Sequence, residues 1–169
     1  MAESHFFFAA WPPADLLSCL RQRLAKLDLL DWPPGSRCEL PMRWHLTLHY
    51  LGTADPKPLQ SRLDACWPGP LPITVTFDRI GAFHGGRVLW IGAPEAPTAL
   101  QQWRQGWLAG DSAKAEPFVP HVTVVRAPRP RPWVERAVAP LHWTLGELTL
   151  VASSGGHYTV LHRWQTSPG

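Results

Sequence analysis

Four short segments of the 169-residue chain share the pattern histidine, any residue, threonine: HLT at 45–47, HVT at 121–123, HWT at 142–144 and HYT at 157–159. Side chains alternate across a β-strand, so a histidine and a threonine two positions apart lie on one face. Imidazole accepts or donates a proton near neutral pH, and a hydroxyl can donate a hydrogen bond to a phosphate oxygen. Two such strands facing each other could supply a general base, a general acid and two phosphate-binding hydroxyls.

The first two segments are favoured as the pair that performs this chemistry. His45 and Thr47 alternate with leucines, and His121 and Thr123 alternate with valines, so each polar pair is predicted to face away from the core. Each strand also follows one predicted helix and precedes another, at equivalent places in two half-repeats. The pattern lacks the ligand spacing of zinc or magnesium sites, so we predict no metal and no cofactor.

The other two segments are interpreted as structural. His142 lies in a segment with apolar residues on both faces, and His157 follows a glycine turn in the last predicted strand pair. Both belong to strands without an equivalent in the first half of the chain.

The elements that must position the histidines are predicted from hydrophobic periodicity and from proline and glycine breaks. Tight connections between paired strands favour antiparallel pairing. The predicted fold is therefore α+β, a single domain over 1–169, with two pseudo-symmetric lobes that carry helices outside mostly antiparallel sheets and that form a central cleft. The predicted strands are 5–11, 42–51, 71–80, 87–92, 121–126, 141–152 and 157–164, and the predicted helices are 13–27, 57–66, 98–108 and a short one at 132–139, with a loop at 28–41.

Composition narrows the functional class. A hydrophobic content of 45% with ten tryptophans indicates a globular chain, and no apolar run has the length of a membrane span. The net charge is +3, with 13 arginines against 3 lysines, which permits a phosphate-bearing partner without requiring one. Three cysteines without a CxxC pair favour free thiols, so we expect a cytoplasmic protein, and we expect it to be a monomer.

Nearly the whole chain resembles the RNA 2′,3′-cyclic phosphodiesterases of the 2H phosphoesterase superfamily, once called 2′-5′ RNA ligases. The resemblance covers both histidine motifs with their flanking residues, the opening strand, the mid-chain hairpin and the last two strands, where Tyr158 lies on a family strand position. The matching segments are FFFAAWPP (6–13), RWHLTLHYLG (43–52), IGAFHGGRVLWIG (80–92), PFVPHVTVVR (117–126) and LTLVASSGGHYTVLHRW (148–164).

This resemblance implies roles for the motif residues. His45 would be the general acid and His121 the general base, while Thr47 and Thr123 would hold the phosphate. The implied reaction is hydrolysis of an RNA 2′,3′-cyclic phosphate end to a 2′-phosphomonoester, without a membrane partner.

Three flanking residues leave alternatives open. Arg126 matches the family arginine, but strict alternation places it on the face opposite to His121. Either the strand twists or bulges there, or Arg126 has a structural role. Phe8, or its neighbour Phe7, could stack on an RNA base or pack in the core. His49 shares a face with His45 and is interpreted as incidental.

Two other functions remain compatible with the sequence. The first is an enzyme that acts on 2′-5′ linkages, by hydrolysis or ligation, or on small cyclic nucleotides. The second is a non-catalytic module that binds RNA ends. Intact histidines and threonines in both motifs favour an enzyme.

Overall fold

A computed structural model describes residues 3–26, 33–67, 73–108 and 118–165. These residues form nine β-strands and three α-helices, and none of the helices among them is long and apolar enough to cross a membrane. The strands are β1 (His5–Ala10), β2 (Arg37–Cys38), β3 (Leu46–Gly52), β4 (Ile73–Phe83), β5 (Val88–Gly92), β6 (His121–Arg126), β7 (Arg136–Leu145), β8 (Glu147–Ser154) and β9 (His157–Gln165), and the helices are α1 (Ala14–Ala25), α2 (Lys57–Cys66) and α3 (Thr98–Leu108).

The strands form one antiparallel sheet in the order β7-β4-β5-β6-β3-β1-β8-β9, with β2 paired to β6. Strands β6 and β3, which carry the two histidine motifs, lie at the centre of this order. Five strands, including β2, are therefore found in the lobe of β6 and four in that of β3, and the predicted α+β fold with two similar lobes is confirmed. The lobes interleave along the chain, because β4 and β5 join the lobe of β6 whereas β8 and β9 join that of β3.

A single pair of residues joins the two lobes of the sheet. Leu46 of β3 pairs with Val122 of β6 in antiparallel register. Each of these residues directly follows a motif histidine, so a local two-fold axis through this pair relates His45 to His121. The two histidines are thereby brought together although they are far apart in the sequence.

One face of the sheet packs against the helices. The predicted inward residues of both motif strands, Leu46, Leu48, Val122 and Val124, are buried in the main core. Leucines at helical spacing along α1 belong to the same core cluster, as do residues of α2 and α3. Burial of this face leaves the motif histidines and threonines on the opposite face of the sheet.

Several predicted boundaries differ from the structure. The predicted helix at 132–139 is wrong, because residues 136–145 form β7, which pairs with β4 and is thereby held extended. The predicted strand 141–152 is two strands that meet at Gly146, and the predicted strand 42–51 begins at Leu46 after a 3₁₀ turn over Pro41–Arg43. The end of the predicted helix at Leu27, part of the predicted loop (28–32) and the start of the predicted strand at 71 lie outside the described residues.

Candidate active site

The two motif strands border a cleft of about 840 Å³ on the face of the sheet opposite to the helices. The four predicted motif residues and Arg126 all line it. Its volume is within the range of small-molecule sites. The lining residues are His5, Phe7, Glu39, Arg43, His45, Thr47, Tyr50, Phe83, His84, Val88, His121, Thr123, Arg126, Ser153 and Tyr158.

The two histidines have the same backbone contact. Nδ1 of His45 lies 2.7 Å from the carbonyl oxygen of Arg43, and Nδ1 of His121 lies 2.7 Å from that of Val119. A carbonyl oxygen only accepts hydrogen bonds, so each Nδ1 carries a proton and donates it. In the neutral state, Nε2 of each ring is therefore the unprotonated nitrogen, and it is the atom available to take up or release a proton.

Aromatic rings surround both imidazoles. Phe7 stacks on His45 with a centroid distance of 4.9 Å, and Phe83 meets His121 edge-on at the same distance. Both rings also line the cleft and cover part of each imidazole. Further ring contacts to His45 come from Trp11 and Tyr158.

This environment favours neutral histidines in the unliganded cleft. Burial lowers the pKa of His45 to about 4, an effect that the hydrogen bond to Arg43 opposes and that the positive charges of His121, Arg126 and Arg43 increase. Burial also lowers the pKa of His121, with a further decrease from the charge of Arg126. A bound phosphate would bring negative charge to both rings and raise their pKa values.

The lowered pKa of His45 predicts a loss of stability in acid. An unfolded chain has a histidine pKa of about 6.5, so between pH 6.5 and 4 the unfolded state binds more protons than the folded state. The free energy of unfolding is then unaffected by His45 above about pH 6.5 and falls as the pH decreases below it, by about 2 kcal/mol at pH 5. Urea unfolding at pH 7.5 and 5 measures this difference.

A His45→Gln variant serves as the control for that measurement, since glutamine does not titrate. Its free energy of unfolding should fall less between the two pH values, and the remaining fall should come in part from His121, whose pKa is lowered in the same direction. An equal pH dependence in the variant and the wild type would contradict the expected role of His45.

A β-bulge brings Arg126 to the cleft. Leu89 of β5 pairs with Val125, but the next residue, Trp90, pairs with Thr123, so Val124 has no partner in β5. The extra residue turns the strand by one position, and Arg126 therefore lies on the face of Thr123 despite its odd spacing. The bulge, one of the alternatives that the sequence left open, is therefore observed.

Strand β3 has a bulge at the equivalent position. Phe8 of β1 pairs with His49 and Ala9 pairs with Thr47, so Leu48 is left without a partner in β1. His49 is buried as a result, near Trp107, and does not share the face of His45 as the sequence predicted. The residue that follows, Tyr50, then lines the cleft as the counterpart of Arg126.

A buried carboxylate holds three arginines at one end of the cleft. Glu39 Oε1 lies 3.0 Å from Nε of Arg126 and 3.0 Å from a terminal nitrogen of Arg37, and Oε2 lies 3.7 Å from Nε of Arg43. The backbone N–H of Glu39 donates to the carbonyl of Val124 on β6. Arg126 is thus fixed in orientation beside the histidines, and its structural role coexists with its position in the cleft.

Phe8 is a core residue, and its prediction as a base-stacking residue is wrong. Its side chain is 0% exposed and packs against Trp107 and Trp164. The alternation along β1 places its neighbour Phe7 on the cleft face instead, where it stacks on His45. Phe7 is itself buried and acts as the floor under that histidine.

The histidines of the two remaining His-x-Thr segments lie on the outermost strands of the sheet, although Tyr158 of the second segment lines the cleft. His142 is on β7 and His157 on β9, which end the two lobes. Both side chains are exposed, and His142 contacts Thr76 on the neighbouring strand at 3.0 Å. Neither residue lines the cleft.

Sequence reasoning missed Glu39, Arg43 and Tyr50. For Tyr50 a signal was present, because it follows His45 by five residues just as Arg126 follows His121. For Glu39 the signal was weak, since a carboxylate among arginines on a loop is usually a solvated surface pair. Within the described ranges, no group of three or more His, Cys, Asp or Glu side chains is placed to hold a metal ion.

Comparison with known proteins agrees with this geometry. The model of the 2′-5′ RNA ligase superfamily matches residues 40–157, a span that contains both histidine motifs and well over half of the chain. The chain belongs to this superfamily. As a member, it is 29% identical over 170 residues to the RNA 2′,3′-cyclic phosphodiesterase of Escherichia coli strain K12, with 94% of each chain covered.

Solved structures share the fold of this chain. The crystal structure of E. coli LigT in apo form matches with a TM-score of 0.72 and 27% identity, covering 99% of this chain and 100% of that one. The complex of E. coli LigT with 3′-AMP matches with a TM-score of 0.70 and 26% identity, covering 98% and 99%. The likeness extends over both lobes and the cleft between them.

Proposed function

We propose that this member of the 2′-5′ RNA ligase superfamily hydrolyses RNA 2′,3′-cyclic phosphate ends to 2′-phosphomonoesters by metal-independent acid–base catalysis. The observation that carries the proposal is the pair of imidazoles whose Nδ1 atoms are held by backbone carbonyls, beside two threonines and an arginine in one cleft. The related E. coli protein is named an RNA 2′,3′-cyclic phosphodiesterase, and the LigT complex contains a nucleoside monophosphate, which supports this substrate class.

In the proposed reaction, Nε2 of His121 takes a proton from a water molecule as its oxygen attacks phosphorus. The P–O3′ bond breaks in line, and Nε2–H of His45 donates its proton to the departing 3′ oxygen, which leaves a 2′-phosphomonoester. Thr47 and Thr123 donate hydrogen bonds to non-bridging oxygens, and Arg126 offsets the charge that develops on them. The substrate's negative charge supplies the rise in pKa that the acid requires.

The two histidines affect each other's protonation, because a positive charge on His121 lowers the pKa of His45. The opposite order, with His121 as the acid, is the alternative. The acid role of His45 is the order that the family resemblance implies. The dependence of the rate on the leaving group distinguishes the two orders.

The test of the proposed function uses an oligoribonucleotide that ends in a 2′,3′-cyclic phosphate, in buffer with EDTA. The expected product is the 2′-phosphomonoester, identified by chromatography against 2′- and 3′-phosphate standards. Loss of activity on chelation would contradict the metal-independent step, and tight binding without turnover would indicate an RNA-end-binding module. Cleavage or formation of 2′-5′ linkages, or preference for small cyclic nucleotides, would indicate the alternative enzymes.

Tyr50 takes the place of Phe8 as the proposed platform for the terminal base. Its ring is 59% exposed at the edge of the cleft, and its hydroxyl lies 2.7 Å from Nδ1 of His5, whose ring stacks parallel to it. An exposed aromatic ring that is held in place can stack on any base.

We expect Tyr50→Ala to raise KM about tenfold for a cyclic-phosphate oligonucleotide with a smaller effect on kcat, since a stacked base contributes about 1–3 kcal/mol. Tyr50→Phe keeps the ring and should retain most of the affinity. Val134→Ala removes another exposed apolar side chain, 80% exposed and absent from the cleft lining, and should leave KM unchanged. An unaltered KM in Tyr50→Ala would contradict the stacking role.

A further inference from the structure

The two bulges are equivalent, but the carbonyl groups that they displace are satisfied differently. The carbonyl of Val124 accepts a backbone hydrogen bond from Glu39 at 2.9 Å, which extends the pairing of β2 with β6. The carbonyl of Leu48 instead accepts from Nε of Arg104, a side chain of α3, at 2.5 Å. The pseudo-symmetry of the site is therefore broken at this pair of positions.

The difference leaves room on one side of the site. The space next to the bulge of β6 is filled by the backbone of β2. The equivalent space next to the bulge of β3 is a groove of about 350 Å³, which we call the side arm. Arg104 and Phe118 line it. The side arm shares four lining residues with the main cleft, so the two spaces adjoin; these are Thr47, Tyr50, Phe83 and His121.

Arg104 gives the side arm a positive charge. Its guanidinium carbon lies 4.7 Å from the ring centroid of Phe118, and its Nε bonds to a carbonyl group, so both contacts in the described part of the chain leave the charge in place. A guanidinium has donors on its two terminal nitrogens besides Nε, and these suit a phosphate. Partial burial lowers the pKa of Arg104, and a desolvated cation gains more from an anionic partner than one in water does.

The substrate has one group that matches this charge. Beyond its cyclic phosphate, a terminal nucleotide carries an uncharged base and a 5′ oxygen, which in RNA bears the phosphate of the preceding linkage. Placing the cyclic phosphate at the histidines and the base on Tyr50 would put the ribose beside Thr47 and His121, which line both the cleft and the side arm. The 5′ phosphate would then be the second anionic group within reach of the side arm.

We propose that the side arm binds the phosphate 5′ to the terminal ribose through Arg104, with Phe118 against the preceding nucleotide. This proposal rests on the proposed function and adds a preference for RNA ends over cyclic mononucleosides. It also sets the direction of bound RNA in the cleft, because the RNA strand enters beside β3 and not beside the arginines held by Glu39.

The experiment compares a nucleoside 2′,3′-cyclic phosphate with the same compound carrying a 5′ phosphate, which isolates that one group. The wild type is expected to show kcat/KM about tenfold higher for the 5′-phosphorylated compound, the size of one charge-assisted contact. This ratio should fall as ionic strength rises. Arg104→Gln should bring the ratio close to one, Arg104→Lys should keep part of it, and Arg21→Gln, a change at an exposed position on α1, should keep all of it.

The ratio of the two kcat/KM values distinguishes two roles of Arg104, binding of the 5′ phosphate and structural support of β3. If Arg104 acted only by holding the Leu48 carbonyl, Arg104→Gln would lower activity on both compounds equally, and this result would overturn the proposal. A wild-type ratio of one would overturn it as well, even if Arg104→Gln did not fold. Absence of turnover of both compounds and of a cyclic-phosphate oligonucleotide by the wild type would contradict the proposed function instead.

Discussion

Replacing His45 or His121 with alanine is expected to lower kcat for a cyclic-phosphate oligonucleotide by about 10²- to 10⁴-fold, the usual contribution of a positioned acid or base. Each ring has one nitrogen bound to a backbone carbonyl, so its second nitrogen is the group lost to the reaction. The double variant should be little worse than either single one, since the two histidines act in one step. Steady-state kinetics of product formation measures these losses.

The matched control is His142→Ala. This histidine belongs to the same sequence pattern but is exposed on β7, so its replacement should leave kcat within the error of the wild type. A His45→Ala or His121→Ala variant that kept full activity would contradict the two-histidine mechanism.

The order of acid and base is tested with a better leaving group. A p-nitrophenyl phosphodiester needs little protonation of the departing oxygen, so the variant that lacks the acid should regain most of the lost rate on this substrate. Recovery by His45→Ala supports His45 as the acid, whereas recovery by His121→Ala supports His121 as the acid. Equal losses for both variants on both substrates would contradict a division into acid and base.

The sequence predicted which four motif residues share one face of the sheet and line the cleft. Period-two alternation placed His45, Thr47, His121 and Thr123 on one face, and equivalent order in two half-repeats predicted that they meet. The structure joins them through one residue pair at the local two-fold axis. The alternation is a short-range pattern, whereas the meeting of the two strands was inferred from the repeated order of elements.

The bulges could not be predicted from those patterns. Two consecutive buried residues follow the threonine in each motif strand, and in the sequence both HLTLHY and HVTVVR are compatible with unbroken alternation. A one-residue shift moves every later side chain to the other face, which explains why Arg126 lies in the cleft and His49 in the core. The shift is set by pairing with β1 and β5, which the local sequence does not contain.

Tertiary pairing also determined that residues 136–145 form a strand and that Phe8 lies in the core. The segment 132–139 carries residues compatible with a helix, but pairing with β4 holds Arg136 and Ala137 in a strand. For Phe8, the run of three phenylalanines hides the period of the strand, so sequence alone could not separate the cleft residue Phe7 from its core neighbour. In both cases the outcome depends on neighbours distant along the chain.

Gly92→Ala, a substitution on the neighbouring strand β5, is expected to displace His121. Gly92 lies opposite His121 in the pairing of β5 with β6, and a Cβ on it would lie 2.1 Å from the carbonyl oxygen of Pro120 and 2.9 Å from Cα of His121. The Pro120 carbonyl also accepts a hydrogen bond from the Ala93 N–H, so it cannot move without breaking that bond. We expect a loss of about 1–3 kcal/mol in the free energy of unfolding and a fall of about 10²-fold in kcat from displacement of the ring.

Gly106→Ala makes the same chemical change where space is available. Gly106 is an exposed residue within α3, and a Cβ there would meet no atom within 4 Å in the described part of the chain. Alanine is the better helix former, so this variant should gain about 0.5–1 kcal/mol and keep the wild-type kcat. The two alanine substitutions should therefore change stability in opposite directions, as measured by urea unfolding. A Gly92→Ala protein as stable and active as the wild type would mean that the close approach of the β5 and β6 backbones does not constrain the position of His121.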